Sequence, residues 1–70
     1  MNEYLVVKPI MLSFMDYKDQ YDCPINVGSI IGWQGNSIYL KVREEWRESI
    51  TSVGAINVWM GNKFITPVTT

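Results

Sequence analysis

The chain has 70 residues, of which 47% are hydrophobic and 13% aromatic, and its formal net charge is −1. A chain of this length forms one domain, residues 1–70, and it buries too little surface to be more than marginally stable by itself. The near-neutral charge argues against a duplex-binding protein and against a highly acidic nucleic-acid mimic. Cys23 is the only cysteine, which excludes an internal disulfide, and the lack of histidine removes the commonest zinc ligand. Self-association remains as a source of stability, so we expect a homo-oligomer.

The first residues, Met1, Asn2 and Glu3, do not resemble the basic and then apolar start of a signal peptide. The apolar runs are far shorter than the roughly 20 residues that span a membrane. We therefore expect a cytoplasmic protein that makes no membrane contact, in a compartment where a lone cysteine stays reduced.

The first part of the chain, residues 3–14, is rich in the residue types that favour strands. Pro9 interrupts it, which predicts an edge strand, a bulge or a bend into a second strand. Residues 16–24 are polar with two tyrosines, and we expect them to form a loop.

A self-similarity with an offset of 26 positions is the most informative pattern in the chain. Residues 27–42 match residues 53–68 at seven of sixteen positions, including the Trp-x-Gly-Asn segments at Trp33 and Trp59. Such a match predicts a duplicated supersecondary unit. The alternative is a similarity imposed by hairpin chemistry alone.

Each copy has the features of a β-hairpin with a two-residue Gly-Asn turn, in which glycine supplies the positive φ. In the first copy, strands at 28–34 and 37–43 pair Gln34 with Ser37, Trp33 with Ile38 and Ile31 with Leu40. One face is then apolar and the other is mostly polar, as in a half-buried antiparallel pair.

In the second copy, the same register predicts strands at 55–60 and 63–68, with Trp59 opposite Phe64 and Val58 opposite Ile65. Pro67 cannot donate a ladder hydrogen bond, so this last strand is expected at a sheet edge. The spacer, residues 43–52, is interpreted as one or two helical turns because Trp46 and Ile50 are four residues apart. A continued, bent strand is the alternative.

These elements add up to a mainly β fold: a small antiparallel barrel or SH3-like roll, built on two similar hairpins with one short helical turn. No family motif is present. In size and composition the chain resembles small accessory proteins of phages and prophages, and the predicted topology resembles small SH3-like barrels. Neither resemblance assigns a role to any residue.

The sequence predicts no catalytic residues, no metal site and no cofactor, and hence no enzyme. Ser–His and Cys–His pairs require histidine, so neither a serine nor Cys23 has the usual activating base. Three aspartates, Asp16, Asp19 and Asp22, lack the spacing of a calcium loop and are interpreted as a solvated segment.

We therefore expect a non-enzymatic binding protein that contacts another protein or itself, as an accessory or inhibitor protein of the phage type would. An arginine-flanked tryptophan is typical of interfaces, whereas Trp33 and Trp59 are expected to pack in the core. The predicted contact residues are Tyr17, Tyr21, Tyr39, Lys41, Arg43, Trp46 and Arg47.

Two alternatives remain at this point. Tyr39, Lys41, Arg43 and Arg47 combine aromatic and basic side chains, as single-stranded nucleic-acid sites do. Trp33 and Trp59, if structurally equivalent, would line a symmetric pocket for a small ligand.

Overall fold

The computed structural model describes residues 1–68, which form a mainly β fold with one short helix. Five strands form an antiparallel sheet in the order β6-β5-β4-β1-β7, and β2 and β3 form a separate antiparallel hairpin. The predicted mainly β, antiparallel class is confirmed, but the strands of residues 1–68 do not close into a barrel. The elements are β1 (Asn2–Val6), β2 (Ile10–Asp16), β3 (Asp19–Ile25), β4 (Ile30–Gln34), β5 (Ser37–Val42), β6 (Glu45–Ser49), α1 (Gly54–Gly61) and β7 (Ile65–Pro67).

The hairpin of β4 and β5 has the predicted register: Gln34 pairs with Ser37, Trp33 with Ile38, and Ile31 with Leu40. Gly35, the first residue of its turn, has a φ of 61°, a value that glycine adopts without steric penalty. The indole nitrogen of Trp33 donates a hydrogen bond to the Gly35 carbonyl oxygen at 2.8 Å. Local turn chemistry and alternating hydrophobicity therefore sufficed to predict this unit.

The second copy of the repeat is not a hairpin: the predicted strand at 55–60 and the predicted pairing are wrong, and the predicted strand at 63–68 is confirmed only over Ile65–Pro67. Residues 54–61 form α1, and only Ile65–Pro67 is a strand. Ile56 and Trp59, three residues apart, lie toward the core on one side of the helix. The backbone N–H of Asn62 bonds to the Val58 carbonyl oxygen at 3.1 Å and ends the helix. Gly-Asn serves both hairpin turns and helix ends, which is why the shared dipeptide misled the prediction.

The spacer is also not helical: Glu45–Ser49 is β6, paired antiparallel with β5. The turn between them consists of Arg43 and Glu44, both in the left-handed region with φ of 50° and 68°. Residues four apart lie on one side of a helix and equally on one face of a strand. The Trp46–Ile50 spacing therefore could not distinguish the two structures.

The predicted loop at 16–24 is instead the end of β2, a turn at Tyr17 and Lys18, and most of β3. The hairpin forms because β2 alternates cleanly, with Leu12 and Phe14 buried and Met11 and Met15 exposed. The predicted interruption at Pro9 is confirmed as the bend between β1 and β2.

One hydrophobic cluster joins the inner face of the five-stranded sheet to the hairpin and to α1. Its buried residues are Tyr4, Val6, Ile10, Leu12, Phe14, Ile25, Ile31, Ile38, Ile56 and Ile65. Burial of each larger side chain contributes about 1.5–3 kcal/mol. β7 lies at the sheet edge, as Pro67 predicted, and β6 lies at the other end of the sheet.

A small polar network ties β6 to the hairpin. The Ile50 N–H and the buried Ser49 hydroxyl both donate to the Ser13 carbonyl oxygen, at 2.9 and 2.6 Å. The Ser13 N–H donates to the Thr51 hydroxyl oxygen at 2.8 Å. These bonds satisfy the backbone N–H and C=O groups of Ser13, which would otherwise be unpaired at the free edge of β2.

Candidate functional site

The outer face of the five-stranded sheet brings together three of the predicted contact residues. Ile38 on β5 is fully buried, so its neighbour Tyr39, and Lys41 two residues on, point to the opposite side. Trp46 is paired with Lys41 and shares that side. An outward sheet face is usually polar, but here two half-buried aromatic side chains lie on it.

The indole of Trp46 extends across β5 as far as β4. Its Cζ3 atom lies 3.0 Å from the position that a β-carbon on Gly32 would occupy. The Met1 thioether reaches the same position from the β1 side and would collide with that β-carbon. Gly32 is consequently buried although it faces outward. We call the set Met1, Gly32, Tyr39, Lys41 and Trp46 the outer surface.

The Lys41 ammonium lies over the Trp46 ring. The Lys41 ammonium lies 5.7 Å from the Trp46 ring centroid, within the range of a cation–π interaction. The same ammonium lies 3.5 Å from a carboxylate oxygen of Glu44 in the adjacent turn. The Trp46 indole therefore has the Lys41 ammonium over its ring and Gly32 of β4 near its Cζ3 edge.

A cleft of about 350 Å³ adjoins this surface at the β5–β6 turn. Its lining combines apolar, acidic and basic side chains, namely Val42, Arg43, Glu45, Trp46 and Arg47. The predicted contact residue Arg43 thus lies beside the outer surface.

Tyr21 and Arg47 face the hairpin rather than the outer surface, although Arg47 also lines the cleft beside Trp46. The Arg47 guanidinium carbon lies 4.8 Å from the ring centroid of Phe14 and 5.8 Å from that of Tyr21. One Arg47 nitrogen also donates a hydrogen bond to the Tyr21 hydroxyl. Such a stack on an aromatic face holds β6 against the hairpin. In the structure these two residues therefore make intramolecular contacts.

Tyr17 stands alone in the β2–β3 turn, with 97% of its surface exposed. The structure thus divides the seven predicted residues into three groups. Tyr39, Lys41, Trp46 and the adjacent Arg43 come together, Tyr21 and Arg47 form a second group, and Tyr17 joins neither.

Met1 and Gly32 are not among the contact residues that the sequence predicts. Gly32 lies inside a regular strand, paired with Glu3 and Tyr39. No local sequence signal marks it, because its role depends on side chains from β6 and from the residue before β1.

The two repeat tryptophans are not equivalent. Trp33 lies on β4 and Trp59 on α1, and both are half-buried against the hydrophobic cluster. The symmetric pair of hairpins on which a shared ligand pocket depended is therefore absent from residues 1–68.

Groups that carry chemistry are dispersed in the described part of the chain. Asp16 and Asp19 lie opposite each other at the hairpin turn, and Asp22 accepts a hydrogen bond from the Ser13 hydroxyl at 2.6 Å. Across residues 1–68, no three acidic or cysteine side chains lie close enough together to hold a metal ion. Cys23 is half-buried.

Comparison of the chain with protein-family models, with curated proteins and with solved structures finds no match. No helix within residues 1–68 has the length and apolar character needed to cross a membrane.

Proposed function

We propose that this protein is a non-enzymatic binding protein that contacts another protein, or a second copy of itself, through the outer surface. One observation carries the proposal: the Trp46 indole lies across the solvent side of the sheet, beside Tyr39 and held by Lys41. Rigidly placed aromatic side chains are the commonest energetic centres of protein interfaces.

The remaining parts of the proposal rest on the sequence. The absence of histidine, together with the dispersed carboxylates, supports a non-enzymatic role. The single cysteine supports a cytoplasmic location. An accessory or inhibitory role of the phage type fits the small size, and self-association would supplement a small core.

An SH3-like roll is the finer fold assignment that we propose. A three-stranded meander, β4-β5-β6, continues through β1 to the last strand, β7, and the β2–β3 hairpin lies over the inner face. This arrangement supports a roll that is open between β6 and the hairpin.

Single-stranded nucleic-acid binding is a less favoured alternative. Lys41 is engaged by Glu44, and Arg47 is turned toward Phe14, so two of its four proposed residues are occupied. Glu3 and Glu48 lie in the same cross-strand row as Tyr39, where they would repel phosphate.

Site-specific photocrosslinking tests the proposed surface. A photoreactive phenylalanine analogue is placed at Tyr39 in one sample and at Tyr17, an exposed tyrosine outside the surface, in the matched control. We expect protein adducts, with a second copy or with a partner from host extract, from position 39 and not from position 17. Equal labelling from both positions, or none from position 39 with a strict monomer in sedimentation equilibrium, would refute the proposal.

A further inference from the structure

The outer surface contains a notch whose floor is Gly32. A side chain at this position would collide with the Met1 sulfur and Cγ atoms and would press on Trp46 Cζ3. The missing β-carbon therefore leaves a space that the Met1 thioether fills, with the Trp46 ring as one wall.

Met1 already occupies this notch, and its chemistry suits the wall. An unbranched thioether is polarisable and makes favourable contacts with an aromatic ring. Met1 nevertheless remains 48% exposed, so its side chain is held on one side only. An occupant held in this way can be exchanged for a competitor of the same shape.

Two carboxylates flank the notch along the same cross-strand row on the outer face of the sheet. Glu3 lies directly opposite Gly32 on β1, and Glu48 lies directly opposite Tyr39 on β6. Both side chains are exposed, and neither makes an ion pair within residues 1–68. A segment that enters the notch would be attracted if it carried lysine or arginine beside the inserted residue.

We propose that the Gly32 notch is the specificity pocket of the outer surface, that it receives a methionine flanked by basic residues from a partner protein, and that Met1 occupies it in the unbound state. This inference rests on the proposed function. The apparent affinity for the partner is then the intrinsic affinity of the notch multiplied by the fraction of molecules in which Met1 does not fill it.

Methionine-methyl NMR tests the inference directly. The full chain, with ¹³C-labelled methionine methyl groups, is titrated with a capped Gly-Lys-Met-Lys-Gly peptide. Matched peptides carry Val in place of Met, or Glu in place of both Lys. We expect the Met1 methyl signal to move toward its solvent position with the first peptide only, while those of Met11 and Met15 on the hairpin stay unchanged.

Two variants separate competition from nonspecific binding. Met1→Ser, released from a cleavable fusion, removes the internal competitor, and we expect it to bind the first peptide about fivefold more tightly. Gly32→Val fills the floor of the notch and should abolish binding. Met1→Ser keeps the test decisive if Gly32→Val does not fold, because Met1 is half-exposed.

A Met1 signal that does not move, equal displacement by the Val peptide, or unchanged affinity in Met1→Ser would each overturn the inference. Crosslinking from position 39 combined with a failed peptide titration would refute only the assignment of the notch as the specificity pocket. A successful titration, with no adduct from position 39 and a strict monomer in sedimentation equilibrium, would instead refute the proposed function and leave the notch as a peptide-sized site.

Discussion

Trp46 on β6 reaches Gly32 on β4 by crossing the outer side of β5, and its Cζ3 atom lies 3.0 Å from the β-carbon position of residue 32. Two residues fourteen positions apart in the chain therefore depend on each other's size. The pair determines both the shape of the outer surface and the tolerance of β4 to substitution.

Substitutions at Gly32 should depend steeply on size. We expect Gly32→Ala to change the free energy of unfolding by less than about 1 kcal/mol, because the flexible end of Met1 can yield and alanine is the better strand residue. Gly32→Val should destabilise by about 1–3 kcal/mol, because its branches meet the indole. Urea denaturation monitored by circular dichroism measures both values.

Gly61 provides the matched control. A β-carbon there meets nothing within 4 Å, so Gly61→Ala should be neutral or stabilise α1 by up to about 1 kcal/mol. If Gly32→Val were as stable as the original chain, the Trp46–Gly32 contact would be refuted.

Substitutions in the β5–β6 turn should increase the stability of the fold. Arg43 and Glu44 both have positive φ, the conformation for which Asn-Gly is preferred in two-residue hairpins. We expect the double substitution Arg43→Asn, Glu44→Gly to stabilise the fold by about 1 kcal/mol, because it relieves the left-handed backbone strain at both positions. The lost Lys41–Glu44 ion pair subtracts little, because the Glu44 side chain is largely exposed.

The β4–β5 turn should respond in the opposite direction. Gly35→Ala places a β-carbon at a φ of 61° and should destabilise by about 1 kcal/mol. Thermal unfolding midpoints of the two turn variants, measured side by side, check the pair. A loss of stability in the Arg43, Glu44 double variant would contradict the turn geometry.

The Arg47 stack should contribute to stability rather than to binding. We expect Arg47→Ala to destabilise by about 1–2 kcal/mol, since both the stack on Phe14 and the bond to the Tyr21 hydroxyl are lost. Tyr21→Phe should lower the free energy of unfolding by a smaller amount. A double-mutant cycle should show coupling between the two positions. Photocrosslinking from position 39 should be unaffected by Tyr21→Phe. Additive effects would show that the two side chains act independently.

The Ser13–Thr51 bond should protect the hairpin junction. Thr51→Val keeps the side-chain shape but leaves the part-buried Ser13 N–H without its acceptor, which costs about 1–3 kcal/mol. Hydrogen exchange at the Ser13 amide should accelerate. Ser37→Ala, which removes an exposed bond to Glu48, serves as the control and should stay within about 0.5 kcal/mol. Equal effects of the two substitutions would contradict the role of the network.

Local chemistry alone determined the β4–β5 hairpin, its register, the bend at Pro9 and the edge position of Pro67. In each case the deciding interaction lies within a few residues: a Gly-Asn turn, an alternating apolar face, or a proline that cannot donate a hydrogen bond. The sequence also predicts Tyr39, Lys41 and Trp46 as contact residues, because aromatic and basic residues cluster there, and the structure places all three on one face of the sheet.

Tertiary structure decided the rest. Residues 53–68 share seven positions with residues 27–42, yet α1 forms because Ile56 and Trp59 pack on the common core from a helix. β6 forms because β5 offers it a pairing edge that the spacing of Trp46 and Ile50 could not reveal. Met1, Gly32 and Trp46 come from three separate parts of the chain. Only the packed sheet brings them close to one another.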